Sequence, residues 1–416
     1  MKSLQLYRDT LESNRAGKGG AVASICSAHP YVLRALFRSA RERETVTLVE
    51  STSNQVDQYG GYTGMKPADF VRLVREIADE EGFPQERLLL GGDHLGPNSW
   101  RAEGSVAAME KTRALVEAYV KAGYRKIHLD ASFVCADDKA PLTDEIVAER
   151  AAEMAKVAEA SWDGEPPLYI VGTEVPTPGG ALDDEEMHVT GLEDVRKTLE
   201  TFQAAFRRHG LDAAWERVTG LVVQPGVEFG DGMVHDYAGA PDLSLTILDY
   251  PGMVFEAHST DYQTPENLSR LVRDHFGILK VGPWLTYAVR EGLMALELME
   301  RESKPAEPSH FRDVLTRVMK ENPKHWKSYY TGDQAEIDHK LIYSYSDRAR
   351  YYLPHPGVKA AIGRLIQNLP ALVPEPLLSQ YLPAQYRAVR AGHLKAAPVD
   401  LVISHVSEVI DFYLDA

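Results

Sequence analysis

The chain has 416 residues, 44% of them hydrophobic, enough to bury a large core as one large domain or two ordinary ones. Its formal net charge of −16 comes from acids spread along the chain, which argues against non-specific binding to nucleic acid or an anionic membrane. Two cysteines, Cys26 and Cys135, cannot build a disulfide framework, and no apolar run reaches the ~18 residues of a membrane span, so a soluble cytoplasmic protein is expected.

In chain order, short apolar runs rich in β-branched residues recur: "AVASICSAHP" (21–30), "TVTLVESTS" (45–53), "RLLLGGDH" (87–94) and "KIHLDAS" (126–132), followed by "LYIVGTEVP" (168–176), "LVVQPGVEF" (221–229), "MVFEAHSTD" (253–261) and "GILKVGP" (277–283). Between most of them lie segments with helical spacing, such as "PADFVRLVREIADEEG", "VAAMEKTRALVEAYVKAGY", "DEIVAERAAEMAKVAEA", "LEDVRKTLETFQAAFRRHG" and "PENLSRLVRDHF". Strands alternating with helices predict parallel βαβ units. Eight such strands fit a (β/α)₈ (TIM) barrel; a doubly wound sheet competes, but no G-x-G-x-x-G follows the first strand. The barrel is expected over residues 1–303, with a mainly helical C-terminal extension over 304–416 that either folds over the mouth or serves as a partner interface.

Each predicted strand is apolar at its front and polar at its back: Glu50 and Ser51, Asp93 and His94, Asp130 and Ser132, Glu174, Gln224 and Glu228, His258 and Asp261, Lys280. A barrel builds its active site from those C-terminal ends, so the groups should converge on one mouth. Strand alternation places Asp93 and His94 on opposite faces, one lining the mouth and the other bracing it. Two imidazoles, His94 and His258, with a carboxylate from Glu174 or Glu228, suit an open site for Zn²⁺ or a similar ion. His128 either shares the face of Asp130 or is an ordinary core histidine. Lys280 has three readings: a Schiff-base amine, a phosphate contact or a salt bridge to a strand-end acid.

Longer strings add a resemblance. "ESTSNQVDQYGGYTGMKPADF", "LGGDHLGPNSW", "KIHLDAS", "VGTEVPTPGG", "VVQPGVEF", "EAHSTDYQT", "LKVGP" and "YSYSDRARYY" make the chain resemble the GatZ/KbaZ family over essentially its whole length, from about residue 20 to "SQYLPAQY" near 380. That family is called the accessory, or non-catalytic, subunit of class II tagatose-1,6-bisphosphate aldolase. The resemblance implies a class II aldolase-like TIM barrel and a place in carbohydrate metabolism (tagatose, galactitol and N-acetylgalactosamine catabolism). Members have also been labelled tagatose-6-phosphate kinases, and similar proteins act as ketose 4-epimerases.

The kinase label lacks a nucleotide cradle in this sequence: there is no G-x-x-x-x-G-K-[ST] and no kinase-type Gly-rich loop. Two expectations from different classes stand. One is an enzyme, a metal-dependent C4 epimerase converting D-tagatose 6-phosphate to D-fructose 6-phosphate. The other is an accessory subunit that stabilises a class II aldolase catalytic partner. C4 is not α to the carbonyl, so epimerisation there calls for breaking C3–C4 by retro-aldol chemistry and re-forming it on the other aldehyde face.

The resemblance assigns residues. Asp93 would exchange the proton of the C4 hydroxyl and Glu174 would be the second acid/base, with helix capping as its alternative. His94 and His258 would be metal ligands. Glu228 or Gln224 would give the third contact, because "VVQPGVEF" lacks the histidine of aldolases. The metal would be zinc, with magnesium or manganese as alternatives. The sugar phosphate would meet Gln224, Asp130, Ser132, Ser259, Thr260, the backbone after Gly282, Lys280, Arg348 and Arg350. The loop "STSNQVDQYGGYTG" (51–64) would close as a lid. A homo-oligomer is left open.

Overall fold

The structure, a computed structural model, describes residues 1–173 and 189–416. Eight parallel strands close into a barrel: β1 (Val22–Cys26), β2 (Thr47–Thr52), β3 (Leu88–Leu95), β4 (Lys126–Leu129), β5 (Leu168–Val171), β6 (Val218–Val223), β7 (Val254–Ala257) and β8 (Phe276–Val281). Each pairs with its neighbours in sequence. β8 closes onto β1 with Val22 opposite Ile278 and Ser24 opposite Lys280.

Crossover helices form because each carries one apolar stripe and a start signal. In Pro67–Glu80 the buried residues are Pro67, Phe70, Val71, Val74, Ile77 and Ala78, which is helical spacing. Pro67 opens its first turn, and the Asp69 carboxylate accepts from Lys66 N at 3.1 Å. Between β6 and β7 the crossover is different: an antiparallel ribbon, Glu228–Phe229 with Val234–His235, precedes the short helix Pro241–Thr246.

Residues after 303 form the helices Phe311–Glu321, Gln334–Tyr343, Pro356–Asn368, Glu375–Tyr381, Pro383–Arg390 and Pro398–Leu414. They share one continuous hydrophobic core with the barrel's helices. The last of them lies against both Pro30–Ala40 and Pro283–Ser303, the helices that follow β1 and β8. No helix among the described residues is long and apolar enough to cross a membrane.

Inside the barrel, side chains stack in layers two residues apart along each strand. The floor is apolar: Val22, Leu48, Leu89, Leu168, Ile170, Val222, Val254 and Ile278, sealed from below by Leu4, Tyr7 and Leu11 of the helix Lys2–Arg15. One step up stand Ser24, Glu50, Lys126, Glu256 and Lys280, and at the rim Cys26, Asp93, His128 and His258, all buried. Charge thus sits above a closed hydrophobic plug.

The plug generates a prediction. Tyr7 is fully buried and its hydroxyl lies 3.1 Å from Thr219 Oγ1. Tyr7→Ala should lower stability by ~3–5 kcal/mol and Tyr7→Phe by only about 1 kcal/mol, read from urea unfolding midpoints.

Candidate active site at the barrel mouth

The segment Gly91–Gly96 shows why its residues occur together. β3 breaks register with β4 between Gly92 and Leu95, and His94 takes φ 46°, the left-handed conformation that histidine tolerates better than most residues. That twist overturns the alternation expected from the sequence. Asp93 and His94 do not face apart; both line the same cavity at the mouth. The glycines are close approaches. A Cβ at Gly91 would meet Glu50 Oε1 at 2.3 Å, and one at Gly96 would meet the carbonyl oxygen of Asp130 at 1.6 Å.

Three imidazoles surround the mouth. Ring centroids lie 5.1 Å apart for His94 and His128, 4.9 Å for His94 and His258, and 5.2 Å for His128 and His258. Each ring has one nitrogen against a carboxylate: His94 Nδ1 with Asp130 Oδ2 at 2.8 Å, His128 Nδ1 with Asp93 Oδ1 at 3.0 Å, and His258 Nε2 with Glu256 Oε1 at 2.9 Å. The other nitrogen of each has no hydrogen-bond partner among the described residues, and that of His128, Nε2, is fully buried. Burial works against a proton on His94, yet Asp93 and Asp130 hold its pKa above the usual value. Burial, helped by Lys280, pushes His258 down to about 3, so that ring is neutral.

Beneath the rings lies a fully buried charge network. Lys126 Nζ meets Glu50 Oε1 at 2.8 Å and Glu256 Oε2 at 2.7 Å. Lys280 Nζ meets Glu50 Oε2, Asp93 Oδ1 at 2.8 Å and Glu256 Oε1 at 3.8 Å. Burial opposes the charge on Lys280, but Asp93, Glu50 and Glu256 hold its pKa well above normal. A permanent ammonium cannot attack a carbonyl, so of its three readings the salt bridge is the one the structure supports. Burial would likewise raise Asp93, but His94, Lys280 and His128 hold its carboxyl well below the usual range. Its Oδ1 is committed to His128 and Lys280; its Oδ2 lies 3.6 Å from Cys26 Sγ and 3.7 Å from His94 Nε2, at the cavity wall. Cys26 stays a neutral thiol, raised by burial and by Asp93.

The other expected residues separate into two groups. Asp93, His94, His258, Ser259, Lys280 and Arg350 line the cavity, as do Thr52, Asn54, Gln55 and Tyr62 of the expected lid. Gly282 also borders it, whereas Asp130, Ser132, Gln224, Glu228, Thr260 and Arg348 do not. Asp130 braces His94, and Ser132 Oγ in turn donates to Asp130 Oδ1 at 2.6 Å. Gln224 Oε1 accepts from Gly226 N and Val227 N, tying its side chain to its own loop. Glu228 lies on the ribbon, accepts from Phe229 N at 3.0 Å and is raised to about 7 by burial; it is not among the acids that touch the imidazoles. The Thr260 hydroxyl donates to the Lys280 carbonyl and meets Tyr413 OH at 3.2 Å. Arg348 packs its guanidinium 3.5 Å from the Tyr329 ring centroid and 4.6 Å from that of Tyr351. The amides of Gly282 and Trp284, expected to take phosphate, instead donate to Asp261 Oδ1 at 3.0 and 2.8 Å. Glu174 lies outside the described residues.

His128 and Glu256 were not singled out as site residues from the sequence. The signal was present: Lys126 and Glu256 stand two residues before His128 and His258, and therefore on the same inward face.

These residues fit a small divalent cation. Donor atoms of Asp93, His128, Glu256 and His258 all lie within 4.8 Å of one another. His94 and His258 are each backed by a carboxylate, the arrangement that fixes a tautomer for metal ligation, while His128 Nδ1 lies between Asp93 Oδ1 and the backbone amide of His94, 3.2 Å away. Buried Glu50, Asp93, Asp130 and Glu256 outnumber the buried ammonium groups of Lys126 and Lys280, so the cluster is acidic. A bound cation would offset that excess, and nitrogen donors favour zinc over magnesium.

The family model for D-tagatose-1,6-bisphosphate aldolase subunit GatZ/KbaZ-like proteins matches residues 7–416, and the chain belongs to that family. A crystal structure from Sinorhizobium meliloti 1021, described as a probable tagatose 6 phosphate kinase, is 44% identical with a TM-score of 0.87, over 95% of this chain and 99% of that one. The fructose-bisphosphate aldolase Fba of Campylobacter jejuni is 13% identical with a TM-score of 0.48, over 86% of this chain and 90% of its own. The YdjI aldolase of Escherichia coli K12 is 11% identical with a TM-score of 0.43, over 83% and 94%.

Two outcomes are expected. Asp130→Asn and Glu256→Gln, which loosen His94 and His258, should each weaken zinc affinity ~10–100-fold in competition titrations against a chromophoric chelator. Lys126→Met strands Glu50 and Glu256 in the interior and should lower stability by ~3–5 kcal/mol in urea unfolding.

Proposed function

We propose that this member of the GatZ/KbaZ-like family catalyses C4 epimerisation of D-tagatose 6-phosphate to D-fructose 6-phosphate by retro-aldol and aldol steps. One observation carries the reading: His94, His258 and the Oδ2 edge of Asp93 border a single cavity, with the buried His128 ring packed against both imidazoles.

His128 and His258, whose donor atoms lie within 4.8 Å of each other and of Asp93 and Glu256, are the residues that would hold zinc with the adjoining His94 ring, in place of the set His94, His258 and Glu228. Bound there, zinc supplies Lewis-acid stabilisation for the negative charge that develops on the ketose oxygens as C3–C4 breaks. Asp93 carries the proton. Its Oδ2 accepts it from the C4 hydroxyl as that oxygen becomes an aldehyde, while the bonding pair stays with the C1–C3 fragment as an enediolate. The aldehyde turns, C3–C4 re-forms on its other face, and Asp93 returns the same proton to the new C4 oxygen. Oδ1 keeps its contacts with His128 and Lys280 throughout, so the carboxylate does not swing away. Asn54, Gln55 and Tyr62 of the 51–64 loop cover the cavity and keep water from the open fragments. Glu174 remains the proposed second acid/base.

The family's description as an aldolase subunit supports a second reading, an accessory protein for a class II aldolase partner. The name carried by the Sinorhizobium meliloti protein is not extended to this chain, whose sequence has no nucleotide cradle.

The test is the purified chain with zinc and tagatose 6-phosphate in D₂O. We expect fructose 6-phosphate with no deuterium at C4, because the C4 hydrogen never leaves. Asp93→Asn should reduce kcat by ~10²–10⁴-fold with the fold intact by circular dichroism. No conversion by the isolated chain, together with a rise in activity of an added class II aldolase, would favour the accessory reading.

A further inference from the structure

If the cavity works on a ketose, its charges say which end of the sugar carries an anion. At the barrel end, Lys280 is surrounded by Glu50, Asp93 and Glu256, and Lys126 by Glu50 and Glu256, leaving neither ammonium free for a phosphate. The amides of Gly282 and Trp284 are filled by Asp261. A C1 phosphate would meet only donors that are already satisfied.

Arg350 is the exception. It is only 9% exposed, yet among the described residues no carboxylate lies within 4 Å of its guanidinium. Its partners are neutral: Nη1 donates to the carbonyls of Ser346 and Asp347, and Nη2 to Tyr351 OH at 3.3 Å. The carboxylates nearby are engaged elsewhere. Asp347 accepts from Thr286 Oγ1 at 2.6 Å and pairs with Arg290 Nε at 3.2 Å, and Asp261 caps the helix Pro283–Ser303. Asp347 and Asp261 act on Arg350 only through space, so the buried guanidinium has no directly bonded counter-ion, and an anion would complete it. Arg350 also stands on the wall common to two chambers, together with Tyr62 and Thr286. The second is lined by His29, Tyr31, Met65, Leu73, Leu353 and Ile362.

We propose that Arg350 grips the terminal phosphate of a ketose 6-phosphate whose unphosphorylated C1 end enters the barrel, and that a 1,6-bisphosphate is refused at C1. This rests on the epimerase reading for the identity of the sugar, but its readout is binding. Phosphate fits the planar guanidinium through two hydrogen bonds. With its phosphate held between the chambers, the aldehyde half can turn about that anchor without being lost.

Isothermal titration of the zinc-loaded chain with fructose 6-phosphate, fructose 1-phosphate, fructose 1,6-bisphosphate and free fructose tests this. Fructose 6-phosphate should bind at least tenfold more tightly than each of the other three. Arg350→Met should weaken fructose 6-phosphate at least tenfold and change fructose less than twofold, with zinc content unaltered; Arg350→Lys should fall between. Equal or tighter binding of the 1-phosphate or the bisphosphate by the unsubstituted chain overturns the proposal even if the variants misfold, as does an equal loss for sugar and sugar phosphate in Arg350→Met. Epimerisation without this binding pattern sinks the proposal alone. The pattern without epimerisation sinks the epimerase reading alone, and no binding of any sugar sinks both.

Discussion

Glu50 bridges two ammonium groups inside the barrel, and most of the mouth depends on that bridge. One oxygen takes Lys126 and the other takes Lys280 and Ser24. Through Lys280 the network reaches Asp93, and through Lys126 and Lys280 it reaches Glu256. Those two acids hold His128 and His258. A buried ion network is poor evidence of added stability, since an apolar layer of equal volume would serve as well or better. What it provides here is orientation: each charge is over-determined by several partners, so the acids beneath the imidazoles have one arrangement.

The same network explains a division of labour between layers. The apolar floor and the N-terminal helix exclude water from below, which makes the ion pairs above it strong. Lys280 is therefore held as a charge rather than offered as an amine nucleophile, and Asp93 has one oxygen anchored and one facing the cavity. At the rim the chain accepts a left-handed residue, His94, to bring a third ring to the mouth; Asp130 holds that ring and Ser132 holds Asp130.

Strand periodicity made the barrel legible, because eight apolar runs with polar ends can close in few ways. The convergence of Asp93, His94, His258 and Lys280 followed from the same rule. What failed had local causes. The alternation rule misplaced His94 because a register break and a positive φ cannot be read from a string of letters. Glu228 was set among the metal ligands because its segment lacks the histidine of aldolases, but the chain forms a ribbon there and turns its carboxylate to Phe229 N and Ser259. Thr260 was assigned to phosphate, yet Tyr413, on a helix more than 150 residues later, claims its hydroxyl, and no local pattern announces such a contact. His128 was legible in principle: the inward face that carries Lys126 carries it too.

The central claim is that the three imidazoles of His94, His128 and His258 serve one ion. Crystals of the zinc-loaded chain, measured on both sides of the zinc absorption edge, test it most directly. The account predicts a single anomalous peak bonded to nitrogens of those three rings, with Asp93 beside it. A peak bonded to Glu228, or no peak inside the barrel at full zinc occupancy in solution, would contradict it.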